Sequence, residues 1–165
     1  MKLIFSHGKE SGPYGRKIIT LAQIALSKGL HVQSFDYSDL RSPEARAERL
    51  LKVLVGSPEP HLLVGSSMGA YVSLVASQSV TVSGLFLLAP AVGLPGYVMQ
   101  EGFELSDVPT SLIHGWQDEV VPVSNVMAFA QQHRADLHLL DSDHRLTNAM
   151  PQIGRLFADW LEQRL

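Results

Sequence analysis

Apolar residues along this chain fall into two alternating patterns. Short apolar runs occur at Leu3-Ile4-Phe5, Val32 to Phe35, Leu62-Leu63-Val64, Leu85 to Leu88, Ser111-Leu112-Ile113 and Leu137 to Leu140, each closely followed by Gly, Ser, Asp or Pro. Runs of this length bounded by turn residues read as strands. Between them apolar residues recur at helical spacing: Ile18, Leu21, Ala22, Ala25 and Leu26, then Ala47, Leu50, Leu51 and Leu54, then Tyr71, Leu74 and Val75. Strands that are apolar throughout, rather than alternating, belong in a sheet covered on both faces, and strands that alternate with helices belong in a parallel one. The expectation is an α/β fold, a three-layer sandwich around a doubly wound, mainly parallel six-stranded sheet.

The last helix is predicted over roughly Thr147 to Leu165, with Ile153, Leu156, Phe157, Trp160 and Leu161 forming its apolar stripe. Ala91 to Asp107 lacks periodicity and carries Gly93, Pro95, Gly96 and Gly102 among Leu94, Tyr97, Val98, Met99 and Phe103, which predicts a mobile loop able to cover a neighbouring surface. No repeat or linker interrupts the pattern, so one domain spanning 1–165 is expected. With 45% hydrophobic and 18% charged residues the 165-residue chain has the balance of a protein that buries a core. A formal charge of −3 provides no basic stripe for a phosphate backbone, which argues against nucleic acid as a partner. The absence of cysteine excludes disulfides and thiolate chemistry. The apolar run after Lys2 is too short for a signal-peptide core, and no run approaches a membrane span, so a cytoplasmic protein without stable membrane insertion is expected.

Three segments carry candidate chemistry. The first is Leu62-Leu63-Val64-Gly65-Ser66-Ser67-Met68-Gly69, an apolar strand running into G-x-S-x-G and then a helix. A serine hydroxyl is a weak nucleophile unless held exposed beside a base and beside donors for a developing oxyanion. A tight strand-to-helix elbow supplies that exposure, and the helix N-terminus adds free N–H groups. The pattern alone arises by chance in glycine- and serine-rich chains, so the flanking strand and helix carry the argument. Ser66 competes, but the apex of the elbow is the middle residue, Ser67.

The second segment is Ser111-Leu112-Ile113-His114-Gly115-Trp116-Gln117-Asp118-Glu119-Val120-Val121-Pro122, in which a strand end delivers an acid. Asp118 is the candidate carboxylate; in isolation it or Glu119 would read as capping the helix that begins near Val123. In the third, Leu139-Leu140-Asp141-Ser142-Asp143-His144-Arg145-Leu146, a loop histidine follows a strand. His144 is the candidate base, because imidazole titrates near neutrality. Asp143 is an alternative acid, poorly placed to orient its own neighbour. Ser, then Asp, then His, each after a separate strand, is the order of a hydrolytic triad on an α/β sheet. His31, His61, His114, His133 and His138 need no catalytic role and share no metal-ligand spacing with carboxylates, so neither metal nor cofactor is assigned.

The opening segment, Phe5-Ser6-His7-Gly8-Lys9-Glu10-Ser11-Gly12-Pro13, completes the set. In a doubly wound sheet the loops after strands one and three flank the crevice in which ligands bind. The backbone N–H groups of Lys9 and Met68 are therefore candidate oxyanion donors, and His7, Gly8, Trp116 and Leu94 candidate substrate contacts. Gly8 to Gly15 lacks the Gly-Lys-Ser/Thr ending of a phosphate-binding loop.

Taken together, His7-Gly8, Gly65-Ser66-Ser67-Met68-Gly69, His114 to Pro122 and Asp143-His144-Arg145-Leu146 resemble the α/β-hydrolase superfamily, in particular its short, lidless carboxylesterases and acyl-protein-thioesterase-like members. The resemblance implies strand order 2-1-3-4-5-6, without the first two strands of longer members. It also implies a minimal fold without a cap domain, since only a short stretch separates Leu88 from Pro109. Lys9-Glu10 is more charged than the aromatic or glycine-rich versions common there. The activity expected is hydrolysis of small-molecule carboxylic esters or thioesters of small to medium acyl groups. The alternatives are an amidase or peptidase using the same triad, and a non-catalytic binding module that kept the pocket.

Overall fold

The computed structural model describes all residues from Met1 to Leu165. Six strands, β1 (Lys2–Ser6), β2 (His31–Phe35), β3 (His61–Ser66), β4 (Gly84–Leu88), β5 (Thr110–Gly115) and β6 (Asp136–Leu140), alternate with α1 (Arg16–Ser27), α2 (Pro43–Val55), α3 (Met68–Ala76), α4 (Val123–His133) and α5 (Met150–Glu162). They form one sheet in the order β2-β1-β3-β4-β5-β6. Every neighbouring pair is parallel, so "mainly parallel" sharpens to wholly parallel.

Why these segments form these elements follows from burial. β3, β4 and β5 are buried at every position, whereas the edge strands β2 and β6 begin exposed and are otherwise half-buried, except that β6 ends on the buried Leu140. Continuous apolar runs thus mark the strands covered on both faces. The sheet divides the core in two. One cluster packs Leu50, Leu54, Tyr71, Leu74 and Phe129, from α2, α3 and α4, against Leu63, Leu85 and Leu112; the other packs Ile18, Leu21, Ile153, Phe157 and Trp160, from α1 and α5, against Leu3, Leu62 and Phe86. No helix is long and apolar enough to cross a membrane.

Two expectations change. The final helix begins at Met150, after a 3-10 turn at Thr147–Ala149, and ends at Glu162. Pro151 sits in its first turn, where a missing N–H costs nothing, and Leu146 ahead of the turn adopts φ 60°, which breaks helical continuity from the preceding loop. The 91–107 segment, expected to be a mobile loop, is anchored. Val92, Phe103 and Leu105 are buried. The Val98 N–H donates to Glu44 Oε1 (3.0 Å), the Met99 N–H to Tyr71 Oη (2.8 Å) and the Glu104 N–H to Gln78 Oε1 (2.7 Å). Polar side chains of α2 (Glu44), α3 (Tyr71) and the turn after α3 (Gln78) therefore satisfy backbone groups that periodicity alone leaves unaccounted for.

Candidate active site

The carboxyl end of β3 turns into α3 through Ser67, whose φ of 54° and ψ of −115° lie in a region that non-glycine residues rarely occupy. The surrounding backbone holds the turn there: the Ser67 N–H donates to the Leu88 carbonyl (2.9 Å), and its own carbonyl accepts from Ala70 (3.0 Å) and Ala91 (3.2 Å). Both flanking glycines are sterically required. A Cβ on Gly65 would strike the Gly69 carbonyl and lie 2.6 Å from the Ala70 nitrogen, and one on Gly69 would strike the Ser6 carbonyl. Ser66, the competing serine, is the buried last residue of β3.

Asp118 lies beyond β5 with its carboxylate sealed from solvent. Its Oδ1 accepts the N–H groups of Val120 (2.8 Å) and Val121 (2.7 Å), and its Oδ2 accepts His144 Nδ1 (2.7 Å). Burial alone would push this carboxyl up, but the hydrogen bonds from His144, Val121 and Val120 outweigh it and hold the pKa below the ordinary value. With Nδ1 committed to the carboxylate, His144 turns Nε2 to Ser67 Oγ at 3.0 Å. The loop that carries His144 reaches this position because Gly115 has no side chain: a Cβ there would strike the Ser142 carbonyl. Asp143, the alternative acid, instead accepts the Arg145 (3.0 Å) and Leu146 (3.3 Å) N–H groups of its own turn.

The loop after β1 stands beside the elbow, so close that a Cβ on Gly8 would lie 3.6 Å from Ser67 Cβ. The Gly8 N–H donates to Ser11 Oγ (3.1 Å). The Lys9 and Met68 N–H groups donate to no protein acceptor, and Met68, first in α3, has no intrahelical partner for its N–H. His7 corrects an expectation. Its ring is fully buried, with Nδ1 donating to the Gly8 carbonyl (2.7 Å) and Nε2 accepting the Tyr37 N–H (2.9 Å), so it orders the loop from beneath instead of facing a substrate. Burial pulls its pKa down, keeping the ring neutral. Trp116 is half exposed, and Leu94 packs on the edge of the larger core cluster.

Sequence reasoning assigned no role to His114, yet it lies fully buried against Asp118. Its Nε2 donates to the Val121 carbonyl (3.0 Å) and lies 3.4 Å from Asp118 Oδ2. The available signal was its spacing, four residues ahead of the acid. Lys17, also unremarked, is a partly buried ammonium whose pKa is drawn down by burial, against the opposing pull of Asp143 and Asp118. No group of three or more His, Asp or Glu side chains is disposed to hold a metal ion. Two sizeable surface cavities, of about 670 and 720 Å³, open elsewhere, below the starts of β5 and β6 and along α4, and neither is lined by Ser67, Asp118 or His144.

The chain can be set beside known proteins. Residues 54–157 match the sequence profile of the family described as phospholipase/carboxylesterase. A crystal structure assigned to the hydrolases of the α/β superfamily, from Xanthomonas campestris pv. campestris, superposes with TM-score 0.90 at 32% identity, covering 98% of each chain. Est1E from Butyrivibrio proteoclasticus superposes with TM-score 0.78 at 17% identity over 98% of this chain and 87% of that one. A second Xanthomonas campestris protein, described as an α/β serine hydrolase without a lid, gives TM-score 0.71 at 21% identity over 99% and 82%. The latter two likenesses speak to the fold alone. No curated protein sequence matches significantly. The matched profile over most of the chain and the 32% identity across nearly its full length place this protein in the phospholipase/carboxylesterase family of α/β hydrolases.

Proposed function

We propose that the protein hydrolyses carboxylic esters or thioesters of small to medium acyl groups by two-step acyl transfer through Ser67. The observation that carries this reading is the continuous hydrogen-bonded line from Ser67 Oγ through both nitrogens of His144 to a carboxylate with no solvent exposure. In the first step His144 Nε2 takes the hydroxyl proton as Oγ attacks the acyl carbon, and Asp118 stabilises the imidazolium that forms. The Lys9 and Met68 N–H groups receive the oxygen that becomes anionic, and the tetrahedral adduct collapses as the imidazolium returns its proton to the departing alcohol or thiol. Water then repeats the sequence on the acyl-enzyme and releases the acid.

Ester chemistry is favoured over amide cleavage by the phospholipase/carboxylesterase description of the matching family. Purified protein should hydrolyse a short p-nitrophenyl ester and be labelled by a fluorophosphonate probe. Ser67→Ala should lose both while retaining the native melting transition. Turnover by a folded Ser67→Ala protein would refute the reading. A panel of esters, thioesters and amides sharing one acyl group would then rank the leaving groups.

A further inference from the structure

Arg46 is a buried cation without a carboxylate. Only 2% of its surface is exposed, and no Asp or Glu oxygen lies within 4.0 Å of it. Every acceptor it finds is a backbone carbonyl: Nε donates to Leu40 (2.8 Å), and Nη1 to Gly8 (3.2 Å) and, more weakly, His7 (3.4 Å). Its guanidinium also lies 5.7 Å from the centre of the Tyr37 ring. Burying an unpaired charge is costly, and packing alone would be served better by an aliphatic side chain. The guanidinium does its work where its hydrogen bonds end, on the loop beside Ser67.

The Gly8 carbonyl accepts two donors, Arg46 Nη1 and His7 Nδ1 at 2.7 Å, both from the core side of the loop. That carbonyl and the Lys9 N–H belong to one peptide group. The chain contains no cis bond, so the two dipoles lie in a common plane and point in opposite directions. Fixing the oxygen toward the core fixes the N–H toward the opposite side. A cation on the carbonyl also withdraws electron density across the amide and strengthens the N–H as a donor.

We propose that Arg46 is a positioning residue of the oxyanion site: together with His7 it holds the Gly8–Lys9 peptide so that the Lys9 N–H, otherwise without a protein acceptor, receives the anionic oxygen formed when Ser67 is acylated. The inference rests on the acyl-transfer reading and extends it to a residue on α2 that reaches neither substrate nor the reacting atoms. Its consequence is selective. A donor aimed at charge that develops in the transition state raises kcat and leaves ground-state binding unchanged.

The test compares Arg46→Gln with the parent protein on a p-nitrophenyl ester and on its thionoester, in which sulfur replaces the carbonyl oxygen and depends far less on N–H donors. With the melting transition retained, kcat for the oxygen ester should fall about 10- to 100-fold, part of the loss seen when an oxyanion donor is removed outright, and KM should stay within about threefold. The thionoester rate should fall by much less. If glutamine at this position abolishes the cooperative melt, Arg46→Lys carries the same measurement. Lysine keeps the charge but has a single nitrogen to divide between the Leu40 and Gly8 carbonyls, so the same selective loss should appear at smaller size. A folded variant with unchanged kcat, with the effect confined to KM, or with equal losses on both esters would overturn the proposal. Ser67→Ala, run alongside, separates the failures: if it abolishes turnover while Arg46→Gln is fully active, acyl transfer stands and only the role of Arg46 falls.

Discussion

The two sides of the candidate site are built by different means. On the β1–β3 side the backbone does most of the work: Ser67 is held at positive φ, Gly65 lets the start of α3 fold back onto β3, Gly69 lets α3 approach β1, and the available donors are main-chain N–H groups. On the β5–β6 side the side chains do it, with Asp118 drawing donors from two backbone N–H groups and His144, and His114 close by. Each side places a fully buried histidine beneath its loop, but His7 has partners at both nitrogens whereas His114 leaves Nδ1 without one. The charges are opposed as well, a buried guanidinium among carbonyls on one side and a buried carboxylate among N–H groups on the other. A site that must aim donors at an oxygen needs a stiff backbone; one that must stabilise an imidazolium needs a negative charge kept ionised.

The comparison can be broken most sharply on the acid side. Asp118→Asn keeps the shape but removes the charge and allows the wrong imidazole tautomer, so kcat on an ester should fall by about 10⁴-fold with the fold intact. Next come the close approaches. Gly69→Ala would force a methyl group into the Ser6 carbonyl and Gly115→Ala one into the Ser142 carbonyl, and each should cost about 2–4 kcal/mol by urea denaturation. Gly69→Ala should also abolish fluorophosphonate labelling by shifting the elbow.

The two buried histidines sharpen the comparison through pH. His7 and His114 both have pKa values lowered chiefly by burial. The unfolded chain therefore takes up protons below pH ~6.5 before the native state does, and stability present above that pH is lost as it falls toward the lowered values. The melting temperature should accordingly drop between pH 7.5 and 5. His7→Asn and His114→Asn should each lower it at pH 7.5 yet flatten its pH dependence. Asp118, whose pKa is also lowered, adds a further loss in stronger acid, near and below pH ~4. The smallest effect is expected at the anchored 91–107 segment. Tyr71→Phe removes a hydroxyl that donates to Glu44 (2.9 Å) and accepts from Met99, and should cost about 1 kcal/mol of stability, with kcat little changed.

Much of this arrangement was legible beforehand. Ser67, Asp118 and His144 stood out because each follows an apolar run and their order along the chain is distinctive, and the structure brings all three within hydrogen-bond reach. Arg46 was illegible: an arginine one turn into a helix reads as part of a solvated face, and its acceptor at Gly8 lies 38 positions away. His7 was legible as a loop residue but not in its direction, since nothing near it in sequence announces that Tyr37 would offer an N–H to its ring.

By itself, the sequence determined the alternation of strands and helices, the parallel sheet and the identity of the residues at the strand ends. These follow from periodicity and turn chemistry, which act among residues a few positions apart. The tertiary structure alone decided which glycines were spared a collision, which polar groups found partners across the sheet, and that a loop expected to move is held by Glu44, Tyr71 and Gln78. Those outcomes depend on hydrogen bonds and steric contacts between distant segments, whose partners exist only once the chain has folded.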